Sequence, residues 1–279
     1  MIIEQNNIIH SKTKKPIIYD VFYNKNNTPK PVVVFCHGYK GFKDWGAWHL
    51  VAEEFAKAGF FFLKFNFSHN GGTIEQPIDF PDLEAFSENT YTKELNDVDR
   101  VLKELKNYSH EADAGQVHII GHSRGGGLAL LATEIHNNIV KAATWAGVSD
   151  FATRFYEGTD AFKDWEKSGI TYVENARTKQ QLPHKFSFYE DFDANREAYT
   201  IKRAVSNTQK PLLIVHGSED TTVPLHEAES IKEWAPQGKL HVIEGADHVF
   251  QTKHPWKKET LPNEMQEAVK ETIKFFKSN

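Results

Sequence analysis

The sequence predicts an α/β fold: a mostly parallel central sheet with helices on both faces and a small cap inserted late in the chain. Three observations carry this. Unbroken apolar runs such as Pro31–Cys36 and Phe60–Phe65 read as strands covered on both faces. Amphipathic helical stretches alternate with them, and the alternation breaks once, from Phe151 to about Ala204, before resuming. Residues 1–150 and 205–279 are therefore expected to form one core, with 151–204 as the cap.

Short apolar segments at Ile2-Ile3, Ile8-Ile9 and Ile17–Tyr23, separated by polar turns at Asn6-Asn7 and Asn24–Asn27, are expected as antiparallel edge strands. Pro31–Cys36 is expected at the sheet centre. His37-Gly38-Tyr39-Lys40-Gly41 follows it, and its glycines let the backbone turn tightly with amide hydrogens above the strand ends. Trp45–Ala58 carries a helical stripe of Trp48, Val51, Ala52, Phe55 and Ala58, stopped by Gly59. The stretch from Asn66 to Asn89, with Phe80, Leu83 and Phe86, is too long and too apolar for a mere connector and is expected to wall a pocket.

Tyr91–Tyr108 is predicted as a helix with Leu95, Val98, Val101, Leu102 and Leu105 inward. The strand Val117–Ile120 then runs into Gly121-His122-Ser123-Arg124-Gly125 and a helix bearing Leu128, Leu130, Leu131 and Ile135. A serine at such a strand-to-helix turn stands clear of the backbone, and larger residues two places to either side would clash. Ile139–Gly147 is a further strand, ending in Val148-Ser149-Asp150. Within the cap, Ile170–Asn175 and Phe186–Asp191 flank a polar middle containing Pro183 and are expected to pair as a hairpin. The cap's aromatics either face substrate or form a small core of their own. Pro211–Val215, a helix from about Leu225 to Trp234, the strand Lys239–Ile243 and the helix Pro262–Lys277 complete the core.

Composition excludes several classes. A net charge of −5 with 25% charged residues provides neither a basic surface for nucleic acid nor an acidic tract. The longest apolar run, Phe60–Leu63, falls far short of the roughly 20 residues that span a bilayer. A single cysteine and a start without a basic, apolar leader make a cytoplasmic protein the expectation. Cys36 beside His37 invites a thiol–imidazole reading, but strand neighbours point to opposite faces, so a buried structural thiol is expected. No His-Glu-X-X-His, paired-cysteine or phosphate-loop motif occurs, and neither cofactor nor metal is expected. Oligomeric state is left open by the sequence.

Catalytic groups in parallel sheets gather beyond the carboxyl ends of the strands, where Ser123, Asp220 and His248 all fall. A serine hydroxyl needs an imidazole to take its proton, and the imidazole needs a carboxylate to fix its tautomer. Asp150 competes with Asp220 for the acid. Asp247 adjoins His248 too closely in sequence to orient it, His254 precedes a proline, and His241 lies within a strand. The backbone N–H groups of Tyr39 and Arg124 are the oxyanion donors expected.

Four motifs, His37–Gly41, Gly121–Gly126, Gly217–Pro224 and Gly245–His248, make the chain resemble an α/β-hydrolase-fold serine hydrolase over essentially its full length. It is similar to bacterial feruloyl and cinnamoyl esterases and to dienelactone-hydrolase-like and serine-aminopeptidase-like branches. The resemblance implies hydrolysis of a small-molecule ester through an acyl-enzyme. Aminopeptidase, lactonase or thioesterase chemistry and a non-catalytic binding role are the alternatives. One departure stands out: where many such hydrolases carry Asp-X-X-Gly-His-Gly-X-Ser, this chain has Asn66-Phe67-Ser68-His69-Asn70-Gly71-Gly72-Thr73.

Overall fold

A computed structural model describes residues 1–26 and 28–278; Asn27, the end of the expected turn at 24–27, and Asn279 lie outside the described residues. Ten strands are described: β1 (Ile2–Ile9), β2 (Ile17–Tyr23), β3 (Lys30–Cys36), β4 (Phe61–Phe65), β5 (Ala112–His122), β6 (Ile139–Trp145), β7 (Ile170–Glu174), β8 (Gln181–Lys185), β9 (Leu212–Gly217) and β10 (Lys239–Ile243). Eight of them form one sheet in the order β1-β2-β4-β3-β5-β6-β9-β10. The pairs β1/β2 and β2/β4 are antiparallel and all the others parallel.

Strands β3, β5, β6 and β9 are covered on both faces, which is why they read as continuous apolar runs. Val32, Val34 and Ile119 enter the core on one side, against α3 (Tyr91–Glu104), α4 (Arg124–Ile135) and α8 (Leu225–Trp234). Val33, Phe35 and Ile120 enter the core on the other, against α1 (Trp48–Lys57) and α9 (Asn263–Lys277). In α1, Trp48, Val51, Ala52 and Phe55 supply the buried stripe. The chain passes from β3 to β4 on one side and returns to β5 on the other, so the loops after β3 and β5 part above a crevice. The register pairs Cys36 with Gly121 and sets those loops side by side.

Three expectations are corrected. Ile2-Ile3 and Ile8-Ile9 belong to one strand: Asn6 takes a positive φ in an irregularity between Glu4 and Asn7 and donates its N–H to Asp20, so the polar pair bulges instead of turning. In the hairpin, β7 pairs with Gln181–Lys185, Tyr172 opposite Pro183. Proline is tolerated there because a two-stranded ribbon consists of edges. Phe186–Asp191 instead enters α6 (Ser187–Ala194), which buries Phe188 and Phe192 one helical turn apart. Finally, no residue of the 66–89 segment lines the cavity that opens at Ser123. Its helix α2 (Leu83–Ser87) packs on β8, and Phe80 and Phe86 close a small cluster with Phe42 and Leu182 behind the site.

Between β6 and β9 the chain leaves the sheet and forms α5 (Asp160–Ser168), the β7–β8 hairpin, α6 and α7 (Ile201–Asn207). Phe151, Phe155, Trp165, Phe188 and Phe192 join Tyr91 in the core on that side, and Tyr91 stacks on Phe151 with ring centroids 4.1 Å apart. No helix among the described residues is long and apolar enough to cross a membrane.

Candidate active site

Ser123 sits between β5 and α4 with φ 56° and ψ −123°, a backbone conformation costly for a residue with a Cβ. The surroundings hold it there: Ser123 N–H donates to Trp145 O at 2.9 Å, and its carbonyl accepts from Gly126 N–H at 2.9 Å and Val148 N–H at 3.2 Å. The motif glycine at 125 is a matter of space. A Cβ on Gly125 would lie 2.4 Å from the Cys36 carbonyl oxygen and 2.5 Å from that of His37, so any side chain would push α4 off the end of β3.

His248 stands on the loop after β10, with Nε2 3.0 Å from Ser123 Oγ and Nδ1 2.8 Å from Asp220 Oδ2. Burial would push the Asp220 carboxyl up. Hydrogen bonds from His216, His248 and the Val223 N–H outweigh it and hold the group well below the usual carboxylate range. Its Oδ1 accepts from the N–H groups of Thr222 and Val223, both at 2.9 Å. An ionised carboxylate only accepts, so the His248 proton lies on Nδ1 and Nε2 is free to accept from the serine hydroxyl.

The competitors go elsewhere. Asp150 accepts from Ala152 N–H in its own turn, and Asp247 accepts from Val249 and Gln251 N–H, shaping the loop that presents His248. His241 pairs with Glu267 on the surface, and His254 accepts from Gly46 N–H. Cys36 is fully buried and its thiol is pushed up by burial.

The loop after β3 brings Tyr39 beside the serine. Gly38 is required at that approach, since a Cβ on it would lie 2.8 Å from Ser123 Cβ. Arg124, on the other side, is the first residue of α4, whose N–H has no partner inside the helix. Both backbone amides thus border the serine.

Several neighbours carried little sequence signal. His122 donates from Nε2 to the His248 carbonyl at 2.9 Å, and burial first, then the His248 charge, pushes its imidazole down to about 3, so it stays neutral. His216 bonds the Val223 carbonyl at 2.7 Å and backs Asp220. Tyr39 Oη meets His184 Nε2 of β8 at 2.7 Å, tying the loop to the hairpin. The only hint of these was position: His122 inside the serine motif, His216 at the end of a strand.

A cavity of about 470 Å³ opens from Ser123 beneath the segment between β6 and β9. Phe155, Phe162, Trp165 and Phe188 form its aromatic wall, with Arg124 and Arg154 as its cationic side chains and no acidic side chain among its lining residues.

Comparison with known proteins agrees with this architecture. A model of the alpha/beta hydrolase family matches residues 33–258. Est1E from Butyrivibrio proteoclasticus, solved also with ferulic acid bound, superposes with a TM-score of 0.71 at 20% identity, covering 98% of this chain and 99% of that one. A puromycin-hydrolyzing peptidase from Mycobacterium tuberculosis superposes at 0.65 and 19% identity, covering 94% of this chain and 37% of that one. At such identities the likeness is one of fold. In sequence the chain is 24% identical over 163 residues to 2-hydroxymuconate semialdehyde hydrolase from Pseudomonas sp. (strain CF600), spanning 50% of this chain and 58% of that protein. The chain spans about half the length of the curated relatives it matches. With the family model covering most of the sheet and the loops that carry Ser123, Asp220 and His248, the chain belongs to the alpha/beta hydrolase family.

Proposed function

We propose that the protein is a serine hydrolase of carboxylic esters, with Ser123 as nucleophile, His248 as general base and acid, and Asp220 as its orienting carboxylate. The observation that carries this reading is the unbroken line Ser123 Oγ–His248 Nε2, His248 Nδ1–Asp220 Oδ2 at the mouth of a largely apolar cavity. Ser123 Oγ attacks the ester carbonyl carbon as its proton passes to Nε2, and Asp220 stabilises the imidazolium. The Tyr39 and Arg124 N–H groups hold the oxyanion. Collapse breaks the bond to the alcohol, which leaves with the proton from Nε2. Water, deprotonated by the same nitrogen, then attacks the acyl-enzyme, and Ser123 departs reprotonated with release of the acid. In this reading residues 151–204 act as a cap whose aromatics contact a small-molecule substrate.

The cavity lining favours esters over aminoacyl amides, because recognition of an α-ammonium group calls for a carboxylate and no lining side chain is acidic. Lactones and thioesters use the same steps and differ in what the cavity admits. The test is steady-state hydrolysis of p-nitrophenyl acetate, butyrate and hexanoate beside aminoacyl p-nitroanilides. Turnover of the esters well above the anilides is expected; anilides cleaved in preference, or no ester cleaved, contradicts the reading.

A further inference from the structure

Two guanidinium groups face the cavity, and each is fastened from behind by a buried acid. Arg124 Nη2 donates to Glu94 Oε1 at 2.6 Å, and Asn89 shares that oxygen at 2.7 Å. The Arg124 guanidinium also lies over the Tyr39 ring, 4.9 Å from its centroid, and near the Phe188 ring at 5.8 Å. Arg154 Nη2 donates to Glu227, whose second oxygen is occupied by Ser149 N–H at 2.8 Å and Ser149 O–H at 3.3 Å. Glu94 and Glu227 do not line the cavity, whereas both arginines do. Each guanidinium carries five N–H donors, and among the described residues the side-chain bonds of each go to a single acid. Arg154 Nε is buried without a partner, and its side chain remains 33% exposed.

Two planar donors, oriented by acids outside the cavity and facing a space with none inside it, form a pre-built acceptor site of the kind a carboxylate fills. We infer that the cavity selects esters carrying a carboxylate on the part that enters it, Arg124 and Arg154 being the specificity-determining side chains; this rests on the ester-hydrolase reading above. Because Glu94 and Glu227 each already accept from one guanidinium, the preference comes from the hydrogen bonds those guanidiniums leave unfilled. That limits it to roughly tenfold to a hundredfold in kcat/KM.

Matched pairs test it. Mono-p-nitrophenyl adipate is compared with p-nitrophenyl hexanoate, which places the carboxylate on the acyl side; 3-carboxyphenyl hexanoate is compared with phenyl hexanoate, which places it on the alcohol side. The charged member is expected to win in one pair, with the ratio falling towards one in Arg154→Gln or Arg124→Gln. Neutral esters equal or better in both pairs overturns the inference, as does a preference that survives in both variants, which leaves the arginines as structural ion pairs only. Calorimetric binding of adipate against 1,6-hexanediol to the Ser123→Ala protein reads the subsite without turnover and without an arginine variant. Preference for adipate is expected, and no preference overturns the subsite. Failure of the ester reading itself has a different signature: none of the four esters turns over and a fluorophosphonate does not label the wild-type protein.

Discussion

Gly38→Ala probes the oxyanion loop with a single methyl group. The added Cβ would lie 2.8 Å from Ser123 Cβ and 3.1 Å from the His122 carbonyl oxygen. Carbon atoms in contact prefer about 3.5–4.0 Å, so the loop after β3 must retreat from the serine by roughly 1 Å. Gly38 does not have a positive φ, so alanine meets no backbone penalty and the effect is that of the methyl alone. Tyr39 is the next residue, and its N–H retreats with the loop, stretching an oxyanion hydrogen bond of about 2.9 Å beyond useful range. Loss of one such donor costs about a hundredfold to a thousandfold in kcat. Hydrolysis of p-nitrophenyl butyrate by wild type and variant, matched by circular dichroism and thermal melting, reads this. A folded Gly38→Ala within about threefold of wild-type kcat refutes the assignment of Tyr39 N–H as an oxyanion donor.

Other perturbations separate site from scaffold. Asp220→Asn keeps the shape but removes the acceptor that fixes the His248 tautomer; kcat is expected to fall by about three to four orders of magnitude, against less than tenfold for Asp150→Asn, and the reverse order in a stopped assay moves the acid to Asp150. Asp20 is fully buried between Lys43 Nζ at 2.8 Å and Lys64 Nζ at 2.6 Å. Asp44 also pairs with both lysines, so Asp20→Ala leaves two buried cations to share one partly exposed carboxylate; it is expected to cost about 3–5 kcal/mol in urea unfolding, and a loss under about 1 kcal/mol contradicts that. His118 packs on Phe276 with ring centroids 4.5 Å apart, and burial first, then Lys141, pushes its imidazole down from 6.5 to about 4. The unfolded chain therefore takes up this proton first. The stability is complete above pH 6.5 and lost as pH falls towards 4, by about 2 kcal/mol at pH 5. His118→Phe is expected to lose less stability between pH 7 and pH 5 than wild type; equal loss in urea midpoints at the two pH values removes His118 from the account.

The central strands were legible because burial on both faces writes them as unbroken apolar runs, as in Val32–Phe35 and Leu212–Val215. The helices were legible from their stripes, and the placement of Ser123, Asp220 and His248 followed from the rule that loops at carboxyl ends converge. What convergence does not encode is which side chains complete the site from afar. Tyr39 and His184 lie 145 residues apart, and only the fold of the hairpin brings them to 2.7 Å. The hairpin itself was misjudged because Pro183 reads as a turn in sequence, while an edge strand tolerates it. Likewise Phe80 and Phe86 advertise burial, but sequence cannot tell a cavity wall from the layer behind one.

The central claim is that Ser123 Oγ is the nucleophile. Its most direct test is intact-protein and peptide mass spectrometry after exposure to a fluorophosphonate, run on wild type and Ser123→Ala. The account predicts a single stoichiometric adduct mapped to Ser123 in wild type, with p-nitrophenyl ester turnover abolished in step, and none in the variant. An adduct on another residue, or an unlabelled wild type that still hydrolyses the ester, contradicts it.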